Sequence, residues 1–288
     1  MRLLPLALAA TLIGCGATPA PAPAPADFTI LQLNDVYEAN PVGGAGGLAR
    51  VATLRERLAA KGPVLTVLAG DFLSPSAIGL AKVDGERLAG AQMIAAFDAM
   101  GLDVVTFGNH EFDVKEEQLL ARLKESKATW VSSNVSRANG EPFPGVKRHV
   151  IRELGPVKLG IFSVTLNSNP KDWVKYDPDY RAVARREIAA LKAEGAQVIL
   201  ALTHLDLADD ISLAAEISEI DLVLGGHEHE NWRIDRGPDF TPVRKADANA
   251  RTVFVHRVTA RAGQAGVDSE LVHIGDDLPF EPKTAAVV

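Results

Sequence analysis

From residue 28 onward the chain alternates short, nearly unbroken apolar runs with longer stretches whose apolar positions recur at helical spacing. The short runs predict strands at Phe28–Leu33, Pro63–Ala69, Val104–Phe107, Thr129–Ser133, Val198–Leu202 and Asp221–Leu224. Between them, the helical pattern predicts helices over Leu48–Ala60, Gly90–Met100, Lys115–Lys124, Tyr180–Glu194 and Asp210–Ile217. Val146–Arg152 and Val157–Val164 predict a hairpin turning at Gly155-Pro156. After Thr241 the pattern becomes all-β, and Thr252–Thr259 and Gly266–Ile274 alternate like half-exposed strands. This order implies α/β layers, with the closing strands adding to a second sheet. There is no internal repeat and no second-domain boundary.

Residues 1–14, MRLLPLALAATLIG, break the rhythm. One arginine precedes an apolar run too short to span a bilayer, as in the core of an export signal. The run ends Leu12-Ile13-Gly14-Cys15, which resembles a bacterial lipobox, and Cys15 is the chain's single cysteine. That resemblance implies cleavage before Cys15, acylation of its thiol, and export to the periplasmic face or cell surface with a lipid anchor in the outer membrane. The Ala/Pro tract that follows favours extended polyproline II, so residues 15–26 read as a tether. Folding is expected over residues 27–278, with 279–288 as a tail.

Composition adds little to this picture. At 288 residues and 47% hydrophobic, the chain can bury a substantial core without disulfides, and one cysteine can form none within the chain. A net charge of −7 argues against a nucleic-acid-binding surface.

The candidate chemistry lies at the ends of five predicted strands. They run into Asn34-Asp35-Val36-Tyr37, Gly70-Asp71, Gly108-Asn109-His110-Glu111-Phe112-Asp113, Thr203-His204 and Gly225-Gly226-His227-Glu228-His229. In α/β sheets, ligands collect outside the carboxyl ends of the strands, so five such ends deliver carboxylates, an amide and imidazoles to one edge. A Gly-Asp after a strand is by itself an ordinary turn, and a lone His there is an ordinary loop residue. GNHE and GGHEH are more specific, and the five in this order more so. Four of the seven histidines fall inside these motifs; His149, His256 and His273 lie in strand-like stretches and read as surface or structural.

The set resembles the calcineurin-like metallophosphoesterases. Within them LQLNDVYE, LAGDFLSPS, FGNHEFD and GGHEH are similar to the catalytic domain of the 5′-nucleotidase family, over roughly residues 28–276. The resemblance implies a single-domain four-layer α/β/β/α sandwich holding two metal ions. Asp71 would bridge them, Asp35 and His229 would hold the first, and Asn109, His204 and His227 the second. His110 would stand over the site as a catalytic group oriented by Asp113. Mixed oxygen and imidazole donors suit Mn, Zn, Co or Fe better than Ca. The implied activity is hydrolysis of phosphomonoesters, nucleoside 5′-monophosphates or related nucleotides among them, by metal-activated water. Cyclic-nucleotide phosphodiesterase and nucleotide-sugar pyrophosphatase activities are alternatives on the same metals. A non-catalytic surface lipoprotein on a decayed scaffold is the alternative from another class. The implied partners are a small phosphoester and, through the anchor only, a membrane; protein partners are unassigned.

Two positions depart from the family. Its first motif usually ends in His, whereas here Tyr37 follows Asp35-Val36. Tyr37 either ligates as a phenolate, which needs a metal such as ferric iron to pull its pKa well below about 10, or turns away and leaves the slot to water. Typical members also carry a later base-binding domain, and PFEPKTAAVV resembles the start of the linker to it. Replacing Cys15 with alanine is expected to move the protein from the membrane to the soluble fraction on cell fractionation; continued pelleting with membranes would contradict lipidation.

Overall fold

The computed structural model describes residues 27–261 and 264–288. The leader, Cys15 and the Ala/Pro tether fall outside the described residues. In chain order the first half comprises β1 (Phe28–Leu33), α1 (Leu48–Ala59), β2 (Val64–Leu68), a small hairpin of β3 (Lys82–Val83) and β4 (Glu86–Arg87), α2 (Ala91–Met100), β5 (Val104–Thr106), α3 (Glu116–Glu125), β6 (Thr129–Val131) and β7 (Val135–Arg137). The second half comprises β8 (His149–Leu154), β9 (Val157–Thr165), β10 (Val174–Tyr176), α4 (Tyr180–Ala193), β11 (Val198–His204), α5 (Leu207–Glu216), β12 (Leu222–Gly225), β13 (Trp232–Arg236), β14 (Thr241–Lys245), β15 (Thr252–Arg261), β16 (Gln264–His273) and α6 (Pro282–Ala285).

Two six-stranded sheets result, ordered β16-β15-β1-β2-β5-β6 and β13-β14-β12-β11-β9-β8. The inner strands β1, β2, β5 and β6 run parallel, as do β9, β11, β12 and β14, while β15, β13 and β8 join antiparallel. Three apolar cores define four layers. Phe28 and Ile30 of β1 face Leu200 and Leu202 of β11 in the core between the sheets. Leu31 and Leu33 point the other way, onto α1 and α2, and Ile199 of β11 packs with Val183 and Ile188 of α4. Both faces of these strands are buried, so they read as continuous apolar runs rather than alternations. The layering is the α/β/β/α sandwich expected from the sequence.

A polar bridge crosses the inter-sheet core close to the functional edge. Gln32 donates to the carbonyls of Gly225 (3.2 Å) and Arg244 (2.9 Å) of the opposite sheet and lies 3.0 Å from His256 Nε2. His256 is fully buried, reaches Ser269 through Nδ1, and is pushed down to about 3 by burial, with Arg244 adding to the effect. It is a neutral structural group, consistent with its reading from sequence.

The structure corrects several boundaries. The hairpin turns at Gly155-Pro156, but its first strand is His149–Leu154, not Val146–Arg152. Helix α5 begins at Leu207, a turn ahead of Asp210, and β11 continues through Thr203 and His204. Strands β7, β10 and β13 have no counterpart in the pattern, nor do the two-residue β3 and β4, and β14 has none beyond the all-β reading after Thr241. The first two are three residues long, and β13 is an edge strand with four of five side chains exposed, so burial imposes little alternation. Residues 279–288 fold back onto the domain. Glu281 N donates to Ala49 O (2.9 Å), Glu281 caps α6, and α6 packs on α1 and α2.

Candidate metal centre

Strands β1, β2, β5, β11 and β12 all end at the same edge, and their following residues meet there. Asp35, Asp71 and His204 each offer a donor atom within 4.8 Å of the other two, and all three are buried. Asn109 Oδ1 lies 3.2 Å from His204 Nε2, and Asp71 Oδ2 lies 3.3 Å from the same nitrogen. His229 Nε2 lies 3.5 Å from Asp35 Oδ1. The His227 and His204 rings are 5.3 Å apart, and the His227 backbone N–H donates to Asp35 Oδ2 (2.9 Å). Asp35, Asp71, Asn109, His204 and His229 are thus linked donor to donor, whereas His227 reaches the group through its backbone and its Nε2 lies 3.3 Å from Asp206 Oδ1. Asp35, Asp71, Asn109 and His204 make its floor, and the more exposed His227 and His229 its rim.

The backbone is held in uncommon conformations to achieve this. Asp35, Asp71, His227 and His229 all have left-handed φ, at 52°, 59°, 89° and 62°. Such values are uncommon outside glycine and recur where side chains must be aimed at a common point. Glycines supply the remaining room. A Cβ at Gly108 would stand 2.1 Å from Asp71 Oδ1 and 2.7 Å from His204 Cε1; one at Gly226 would meet Ala69 O at 2.5 Å and Asp35 Oδ2 at 2.8 Å.

The electrostatics call for a cation. Among the described residues, Asp35 and Asp71 have no lysine or arginine partner within ion-pair distance; their neighbours are Asn34, Tyr37, the three histidines His204, His227 and His229, and the His110 backbone. Burial opposes charging His204, yet the Asp71 carboxylate and its hydrogen bond push it up to about 10. Burial likewise raises Asp71, but His204 and the donated N–H of His110 hold it below the usual carboxylate range. A bound cation would take over this neutralising role. His204 Nδ1 lies 2.7 Å from the Ala69 carbonyl, a partner that fixes Nδ1–H and leaves Nε2 to ligate.

Tyr37 takes the inward of its two dispositions. Its hydroxyl lies 3.1 Å from Asp71 Oδ2, 2.9 Å from His229 Nε2 and 3.5 Å from Asp35 Oδ1. Burial first, then the charges of Asp71 and Asp35, drive its pKa upward, so a phenolate there requires a metal. His110 stands at the rim with its ring 6.3 Å from that of Tyr37, and its Nδ1 is 2.6 Å from Asp113 Oδ2. Asp113 is in turn held by Asn169 and, at 3.4 Å, by Lys171. Burial raises Asp113, but the bonds to His110 and Asn169 outweigh it and lower the pKa.

Sequence reasoning assigned no role to the acids inside the two strongest motifs. Glu111 is fully buried and accepts from the backbone N–H of Gly108 (2.5 Å), Asp71 (2.8 Å), Phe72 (2.8 Å) and Leu73 (3.2 Å). It ties two donor loops together, and burial plus the charge of Asp71 push it up to about 7. Glu228 accepts from Leu207 N and pairs with Lys245 (2.5 Å), which also reaches Asp210 (2.9 Å) and Leu205 O (2.6 Å). That cluster pins the loop carrying His227 and His229. The signal for both acids was present in GNHE and GGHEH; Asn169 and Lys171 sit in a loop with no pattern to mark them.

Residues 28–231 match the model of the calcineurin-like phosphoesterase family. The chain belongs to that family. The family normally uses divalent metals, and the Asp35, Asp71 and His204 cluster is a candidate site for them. The chain is 28% identical over 249 residues to a human 5′-nucleotidase, matching 77% of this chain and 42% of that protein. It is 28% identical over 177 residues to an apyrase of Tabanus yao, matching 57% of this chain and 32% of that one. The chain therefore spans less than half of either relative. In fold, the chain superposes with a TM-score of 0.80 on a 5′-nucleotidase precursor from Thermus thermophilus, at 22% identity, covering 90% of this chain and 57% of the other.

Gly108→Ala should disrupt the centre without touching a donor. The expected outcome is a folded protein, by circular dichroism, with strongly reduced metal content by elemental analysis; wild-type metal content would contradict the close packing of Gly108 on Asp71 and His204.

Proposed function

We propose that this phosphoesterase holds two metal ions and hydrolyses phosphomonoesters, nucleoside 5′-monophosphates foremost. The observation that carries the reading is the position of Asp71. Its Oδ2 lies 3.1 Å from the Tyr37 hydroxyl and 3.3 Å from His204 Nε2, so one carboxylate touches both the Asp35, Tyr37 and His229 group and the His204 and Asn109 group, as a residue shared by two cations would. Asp35 and His229, with Tyr37 as a further oxygen donor, would hold one ion; Asn109, His204 and His227 would hold the other. The donor set of carboxylate, amide, phenol and imidazole suits Mn, Zn, Co or Fe. When bound, a metal pair would supply an ionised water and charge stabilisation for an in-line displacement.

The chain's own residues contribute the rest. His110 is oriented by the Nδ1 contact to Asp113, which leaves Nε2 to stabilise the phosphoryl group or pass a proton to the leaving oxygen. Asn169 and Lys171 in turn hold Asp113 in place. The buried floor keeps bulk water from Asp35 and Asp71, which strengthens every charge interaction above them. Nucleotide preference is supported by the names of the relatives, a 5′-nucleotidase and an apyrase. An exported, lipid-anchored enzyme would meet such nucleotides outside the cytoplasm.

Phosphate release should be abolished by chelation and restored by Mn, Co, Zn or Fe, with AMP a better substrate than cyclic nucleotides or nucleotide sugars. Asp71→Ala should lose bound metal and activity together, while His110→Ala should keep its metal and lose about 10²–10⁴-fold in turnover. Activity that survives chelation, or equal metal loss in both variants, would contradict the reading.

A further inference from the structure

We propose that a pocket off the end of β6, separate from the metal centre, binds a small phosphate-type anion. β6 runs parallel to β1, β2 and β5, so its carboxyl end lies at the same edge of the sheet as theirs, yet it delivers no metal donor. Ligands collect outside the carboxyl ends of such strands. Just past β6, Ser132, Ser133 and Asn134 form one wall of a pocket of about 300 Å³. Arg148, Lys175 of β10 and Arg186 of α4 line the rest, and none of the metal donors does. The chain crosses here to the second sheet. Ser132 N donates to Lys147 O (2.7 Å) and Ser133 Oγ to Arg148 O (2.5 Å), which fixes Arg148, one residue ahead of β8, beside that wall.

The lining selects for an anion. Arg148, Lys175 and Arg186 stand against a single carboxylate, Asp177, in a chain whose net charge is −7. They are far apart in sequence, so the fold rather than a charged run gathers them. Among the described residues, Arg148 and Lys175 have no ion-pair partner, and the acid on α4, Glu187, is already shared by His149 (2.6 Å) and Arg186 (2.9 Å). Arg186 meets Glu187 through Nε and Nη2, which leaves Nη1 free to donate. The second, independent sign is Ser132. It is 5% exposed, and its hydroxyl is buried with no hydrogen-bond partner among the described residues. Buried hydroxyls are normally paired, and a ligand oxygen supplies the partner that this one lacks. Guanidinium groups match phosphate oxygens in geometry and charge, and a lysine adds a point charge. The volume is at the lower end of the roughly 300–1,000 Å³ usual for small-molecule sites, enough for a phosphate on a compact polar body. A lipid headgroup fits less well, because none of the exposed large apolar side chains lines the pocket.

The test is titration calorimetry with inorganic phosphate on the metal-loaded full chain, at an ionic strength that screens loose surface charge. Beside any binding at the metals, the titration should show an event that the double variant Arg148→Ala, Lys175→Ala weakens by about tenfold or more. Ser132→Ala, which removes only the hydroxyl, should weaken the same event by about three- to tenfold. Arg148 and Lys175 are exposed, so the double variant is expected to fold and to keep the metal content and the p-nitrophenyl phosphate hydrolysis of the wild type. The event should also persist in Asp71→Ala, whose metal centre is broken. Phosphate binding that disappears with Asp71, or that either pocket variant leaves intact, would overturn the site. Loss of metal from the double variant would overturn its separateness from the centre. The site stands or falls apart from the enzymatic reading, because the titration of Asp71→Ala decides it whether or not any ester is hydrolysed.

Discussion

Two carboxylates, Asp35 and Asp71, are buried beside one imidazole, His204, with no lysine or arginine in contact among the described residues. Like charges brought this close in a low-dielectric site repel one another, and the penalty is relieved only by a proton or a cation shared between them. Much of the fold at this edge is arranged around that constraint. The donors are delivered by the carboxyl ends of parallel strands in two different sheets, so the sandwich has to bring both sheet edges into register before the centre exists. The Gln32 and His256 bridge across the sheets serves that registration, since Gln32 lies in β1 just ahead of Asp35 and bonds to Gly225, just ahead of His227.

Local backbone strain is concentrated in the same place. Left-handed conformations at Asp35, Asp71, His227 and His229 are each unfavourable for a residue with a side chain, by roughly 1–3 kcal/mol. They persist because the surroundings over-determine them. Glu111 takes four backbone N–H groups from the two loops that carry Asp71 and Asn109, and the Lys245, Asp210 and Glu228 cluster fixes the loop that carries His227 and His229. These buried acids act through the loops rather than on a substrate, holding several donors with one side chain each.

The sequence made the floor of the centre legible for a specific reason. Each floor donor ends or follows a strand buried on both faces, and such strands are unambiguous apolar runs, so Asp35, Asp71, Asn109 and His204, with His227 at the rim, could be placed at one edge from the pattern alone. Elements that do not carry this burial signal were missed. Edge strand β13 and the three-residue strands β7 and β10 have too few buried positions to set a period. The contacts that hold Asp113 were missed for a related reason, since Asn169 and Lys171 reach it from a loop whose path depends on tertiary packing. The inward turn of Tyr37 was open from sequence alone because a tyrosine at that position can face either water or metal; the neighbouring Asp71 and His229 settle its direction.

The proposed pair of cations sharing the Asp71 carboxylate is tested most directly by anomalous X-ray diffraction from crystals of the metal-loaded protein. Data collected on either side of the metal absorption edge should show two anomalous peaks about 4 Å apart, one on each side of Asp71, with His204 Nε2 at one and His229 Nε2 at the other. A single peak, or none within coordination distance of Asp71, would contradict it.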